Sequence, residues 1–146
     1  MSNDGSPQGS SQAFGWRPDL MLGIAPMDYQ HRQLVASAAE LHFVVTTKAS
    51  QHDVVKATRD LIEITRQHFD WEEQLMLNER YDGYAAHKEH HDRLLKQLVE
   101  VESELEAGSI GSCQTLALFI ETWTLQHLLI VDKALALFLE KSRMKV

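Results

Sequence analysis

The stretch YAAHKEHHDRLLKQLVEVESELEA, residues 84–107, reads as one amphipathic helix. His87, His91, Leu94, Leu98, Val101 and Leu105 recur at alternating steps of four and three, so they fall on a single face of a helix. Charged side chains dominate the other faces. The rhythm is that of a helix packed against others, but its first two inner positions are histidine where leucine is expected.

Outward from this stretch, three more segments carry the same rhythm. The breaker segment Asn78–Gly83 separates it from a helix over about 51–77, whose inner stripe is Leu61, Thr65, His68, Glu72 and Leu75. Ser50 with Asp53 three residues on marks the start of that helix as a capping box. Before it, a helix over about 27–47 has Asp28 near its start and His31, Leu34, Ala38, Leu41 and Val45 on one face. Beyond the turn Gly108–Gly111, a fourth covers about 112–140, with Leu116, Ile120, Trp123, His127, Ile130, Ala134 and Leu137 inward. Four such helices with short turns predict an all-α, up-down-up-down antiparallel four-helix bundle. Residues 14–24 contain Phe14 and Trp16 but no helical period, and are expected to lie against the bundle as an N-terminal arm. Residues 1–13 are rich in Ser and Gly and read as a disordered tail, leaving 14–146 as one domain.

Composition narrows the function. A chain of 146 residues with net charge -7 and 44% hydrophobic residues suits one soluble domain with a real core. No Lys/Arg stripe is present to meet phosphates, so nucleic acid is a poor partner. No apolar run approaches the roughly 20 residues that span a bilayer, and no signal pattern opens the chain. The one cysteine, Cys113, is placed near a helix start and has no second cysteine to pair with; a reducing, cytoplasmic setting is expected.

The chemistry lies in His31, His68, Glu72, His87, His91, His127 and Asp132. A single buried imidazole is ordinarily a hydrogen-bonded core residue. That reading fails for the set, because five imidazoles and two carboxylates left unpaired in one core would be badly destabilising. His68 and Glu72 stand four apart, as do His87 and His91, so each pair projects from one helix face. His127 and Asp132 stand five apart, about 140° on a regular helix, so either Asp132 reaches round or a π-type turn lies between them. This surplus of ligands exceeds the closed four-coordinate shell of structural zinc. It fits two octahedral metals, with three histidines on one and two on the other. With two bridging carboxylates and a bridging oxygen, one position stays open for a small gas. Ligand type alone also tolerates Mn or Co.

These residues resemble the hemerythrin family, bacteriohemerythrins in particular. The likeness runs from about Trp16 to Lys141, with Gly23-Ile-Ala-Pro-Met-Asp28-Tyr-Gln-His31 similar to the family's first-ligand segment and H-x3-E, H-x3-H and H-x4-D following in order. The resemblance implies a non-haem pair of Fe ions with an oxo or hydroxo bridge. It implies His87, His91 and His127 on one iron, His31 and His68 on the other, and Glu72 and Asp132 bridging. It implies reversible O₂ binding at the two-histidine iron, for storage, delivery or sensing, by a carrier or sensor and not an enzyme. Candidate partners beyond O₂ are a downstream signalling domain or an O₂-requiring enzyme. The competing reading is a di-iron redox enzyme or sensor acting on peroxide or NO. Ferritin-like oxygenases usually show a Glu-x-x-His motif in two helices, and this chain has none.

The O₂ pocket is expected from Leu34, Phe69, Trp123, Thr124 and Ile130, each within a helical turn of a ligand. Thr124 departs from the family, which usually has leucine there. Its hydroxyl either bonds back to the Ile120 carbonyl or is aimed at the pocket. His42, His52 and His90 match no ligand position and are expected at the surface or rim.

Overall fold

The structure, a computed structural model, describes residues 15–47, 50–108 and 113–144, with the side chains of the last helix from Phe119 to Ser142. The tail expected over residues 1–13, Phe14, most of the Gly108–Gly111 turn and the side chains of Cys113 and Leu116 lie outside these. The described elements are all helical: α1 (Ala25–Thr46), α2 (Gln51–Asn78), α3 (Tyr84–Glu106), α4 (Cys113–Gln126), a π-helical segment (His127–Asp132) and α5 (Lys133–Met144). The last three form one continuous fourth helix. No described helix is long and apolar enough to cross a membrane.

Local chemistry sets the ends. Ser50 Oγ accepts from the Asp53 backbone N–H at 3.1 Å and caps α2, as its sequence pattern requires. After α2, Arg80 takes a left-handed φ of 55°, and the Tyr81 N–H bonds back to the Met76 carbonyl at 2.9 Å, which closes the helix end. The arm carries a short 3₁₀ turn, Pro18–Leu20, that buries Leu20 completely. Trp16 packs on the core, and the Arg32 guanidinium lies 4.7 Å from its ring centroid. Buried Asp28 accepts from the backbone N–H groups of Leu22 and Gly23 at 2.8 and 3.0 Å and so pins the arm to the first turn of α1. Gly23 turns the chain there with a φ of 86°, which a side chain would strain.

Helix α1 packs against α2 and α4, and α2 packs against α3. The inner stripes meet in two apolar clusters. The larger gathers Leu34, Leu41, Leu61, Leu98 and Ile120. The smaller gathers Met27, Met76, Leu135 and Leu139 at the other end. Along α1 His31 falls between Met27 of the smaller cluster and Leu34 of the larger, and along α2 Glu72 falls between Met76 and Phe69, so the polar band lies between the two apolar clusters.

The fourth helix departs from its expected stripe. Ile130, Ala134 and Leu137, expected inside, are exposed, Ile130 by 65%. The π segment puts one extra residue into a turn and moves every later inner position along by one. Asp132, Leu135, Ala136 and Leu139 are buried in their place.

Candidate metal centre

All seven expected ligands converge. His31 comes from α1, His68 and Glu72 from α2, His87 and His91 from α3, and His127 and Asp132 from the two ends of the π segment. All seven are buried. His31 Nε2 lies 2.8 Å from Oδ2 of Asp132, and His127 Nε2 lies 3.2 Å from the same oxygen. His87 and His91 Nε2 each lie 3.0 Å from Oε1 of Glu72. His68 Nε2 lies 3.4 Å from Oε2 of Glu72 and 3.5 Å from Oδ2 of Asp132.

These approaches are short, yet Nε2 of His31, His87, His91 and His127, both Glu72 oxygens and Oδ1 of Asp132 make no hydrogen bond. Buried polar atoms are otherwise almost always paired, so this donor set fits a bound cation. The donors fall into two groups, each with all its donor atoms within 4.8 Å: Glu72, His87, His91, His127 and Asp132, and His31, His68, Glu72 and Asp132. The groups share the two carboxylates and divide the imidazoles three to two.

Electrostatics holds both carboxylates ionised. Burial and the Asp132 charge push Glu72 up, but His68 and His87 overcome them and hold it at about 2. Burial also opposes the Asp132 charge, and His127, His31 and His68 hold its carboxyl well below the usual range. The carboxylates act back on the rings. Burial opposes a charge on His68, yet Glu72 and Asp132 raise it to about 10, and His87 is raised to about 9 by the same pair against its burial.

Two histidines have a partner on their outer nitrogen. His68 Nδ1 meets Gln30 Oε1 at 2.7 Å, and His91 Nδ1 meets Glu73 Oε2 at 2.9 Å. Each partner is the immediate chain neighbour of a ligand, His31 or Glu72. A cleft between α1 and α2, lined by Tyr29, Gln30, Gln33, Ile64 and Gln67, ends on His68.

A family model described as the hemerythrin HHE cation binding domain matches residues 22–137. The chain belongs to the hemerythrin family. It is 31% identical over 121 residues to a bacteriohemerythrin of Stenotrophomonas maltophilia (strain R551-3), covering 83% of this chain and 78% of that one. It is 32% identical over 119 residues to the myohemerythrin of Sipunculus nudus, covering 82% and 88%. A crystal structure of a hemerythrin leucine mutant superposes with a TM-score of 0.75 at 27% identity, covering 82% of this chain and 91% of that one. Hemerythrins bind dioxygen with iron, and the buried His/Glu/Asp cluster of this chain is suited to hold metal.

Of the expected pocket residues, Leu34, Phe69, Trp123 and Thr124 are buried. Phe69 lies flat on His91 with centroids 3.7 Å apart, and Trp123 stacks with His127 at 6.4 Å. Ile130 does not belong with them, because the π segment turns it to solvent. Leu128, which the sequence reading left out, is 1% exposed and sits in the same cluster as Leu34, Phe69 and Trp123. The H-x4-D spacing held the missed signal, since a π-turn placing both ends inward also turns His127's neighbour inward. Thr124 Oγ1 is buried and makes no bond to the Ile120 carbonyl or to any other group. His52 is exposed, whereas His42 and His90 are half-buried. The His90 ring lies parallel to that of His127 at 5.3 Å.

Proposed function

We propose that this chain binds dioxygen reversibly at a pair of iron ions. One would be held by His31 and His68, the other by His87, His91 and His127, with Glu72 and Asp132 shared. The carrying observation is the pair of buried donor groups that overlap only in those two carboxylates. When bound, the irons supply the paired one-electron chemistry that holding O₂ requires and that no side chain here provides.

The protein's own residues do the rest. Glu72 and Asp132 stay ionised and hold the two positions together. Gln30 and Glu73 fix the ring orientation of His68 and His91 through their Nδ1 atoms. Leu34, Phe69, Trp123 and Leu128 form a dry wall that keeps bulk water from the centre and slows irreversible oxidation. Histidine-rich ligation with two carboxylates supports a carrier or sensor over an oxygenase.

The test is to load ferrous iron without air, admit O₂ and follow the visible spectrum while iron is counted. A new absorption band that disappears on purging with inert gas, at about two irons per chain, is the expected result. Immediate irreversible oxidation would overturn reversible binding and favour the peroxide or NO reading. A chain that retains no iron would overturn both.

A further inference from the structure

Two buried hydroxyls, one turn from ligand histidines, make no hydrogen bond. Thr65 and Thr124 are each 0% exposed, and Oγ1 of each is without a hydrogen-bond partner. A buried helical threonine ordinarily bonds its hydroxyl back to a carbonyl one turn earlier. Thr58 does so in this same helix α2, bonding to the Val54 carbonyl at 2.8 Å. Thr65 and Thr124 forgo that bond.

Their placement is shared. Thr65 precedes His68 by three residues, and Thr124 precedes His127 by three. The rings of His68 and His127 have centroids 6.3 Å apart. In an up-down-up-down bundle α2 and α4 run the same way, so both threonines stand one turn from their histidines at the same level and on the same side of the centre. Helix α1 runs oppositely and brings Leu34, three residues after His31, to that level. The layer therefore adjoins both histidines of the four-donor group, through Leu34 and Thr65, and reaches the five-donor group through Thr124. Its other walls, Phe69, Trp123 and Leu128, belong to the larger apolar cluster.

We infer that Thr65 and Thr124 form a hydrogen-bonding subsite for the exogenous ligand. They would select small molecules or anions that accept hydrogen bonds. The inference rests on the proposed metal centre and adds a ligand preference to it. A wholly apolar pocket would hold its ligand by the metal alone, whereas two buried, unpartnered hydroxyls would add hydrogen bonds to it.

The experiment uses azide as the probe, titrated into the full-length, iron-loaded, oxidised protein and followed by its charge-transfer band. Thr65→Val and Thr124→Val keep each side chain's shape and remove its hydroxyl. Each is expected to weaken azide binding about fivefold, the worth of one ordinary hydrogen bond, with iron per chain unchanged and Thr→Ser restoring affinity. A crystal structure of the azide complex is expected to show azide nitrogen within hydrogen-bond distance of both hydroxyls. Wild-type azide affinity in both valine variants would overturn the subsite and leave the metal centre standing. Weakened iron retention with unchanged azide affinity would also overturn it, assigning the hydroxyls to the histidines. Failure of wild-type protein to hold iron would instead bring down the centre and the subsite together.

Discussion

His127 and Asp132 are five residues apart, yet His127 Nε2 lies 3.2 Å from Asp132 Oδ2 because the helix between them is wound as a π segment. A regular helix would splay the two by about 140°. The extra residue also sets the register of everything after it. Deleting exposed Ile130 should therefore convert the π-turn to an α-turn with Asp132, Leu135 and Leu139 still inward. Inserting one alanine after Ile130 should rotate all three by about 100°. The deletion variant is expected to fold and keep metal. The insertion variant is expected to lose metal and melt well below the parent. Melting by circular dichroism with metal analysis checks both, and equal behaviour of the two variants would refute this role for the π segment.

The shared carboxylates predict unequal effects of single substitutions. Glu72 contacts histidines of both donor groups, whereas His31 belongs to one. His31→Leu should lower iron from about two per chain to about one, and Glu72→Gln should lower it below one, since both positions lose a charged donor. Iron counting after gel filtration decides this. Equal losses from the two variants would argue against two separate positions.

The bundle and the convergence of ligands were legible because both are periodic. The steps of four and three in α3 specify its inner face, and His87 and His91 simply occupy leucine positions. What escaped was local winding and side-chain reach. Ile130 falls inward only where a regular helix continues through the five-residue spacing, and the π segment turns it to solvent. Leu128 was missed for the same reason. Gln30 and Glu73 are polar residues beside ligands, indistinguishable in sequence from surface groups until two helices bring them against His68 and His91. The Thr124 hydroxyl has two rotamer-dependent fates that a sequence does not separate, and in the fold it makes no bond.

Protonation makes metal loading release protons. In metal-free protein His68 and His87 hold theirs up to about 10 and about 9, above the ordinary 6.5 of an unfolded histidine. Their contribution to stability is thus fully present below pH 6.5 and is lost as pH rises through about 9 to 10. Metal-free protein should melt at progressively lower temperature across that window. Metal-loaded protein, whose histidines are deprotonated already, should not. Calorimetric metal titrations at pH 8 in buffers of different ionisation enthalpy should register net proton release. A flat melting profile and no proton release would show that these two histidines are neutral before metal arrives.

The two outer partners differ in charge, and this difference should be measurable. Glu73 offers His91 a carboxylate at 2.9 Å, whereas Gln30 offers His68 a neutral amide at 2.7 Å. A charged acceptor makes the imidazole a stronger donor to metal. Glu73→Gln keeps an acceptor oxygen but removes the charge, and should weaken metal retention about tenfold. Gln30→Glu should strengthen retention at the two-histidine position. Lys88 also approaches Glu73, at 3.4 Å, so Lys88→Ala serves as the control that alters Glu73's surroundings without touching His91. Competition against a chelator, followed spectroscopically with Co(II), resolves the two positions. If Glu73→Gln and Gln30→Glu both leave retention unchanged, the partners hold ring orientation alone and their charge has no part in tuning the donors.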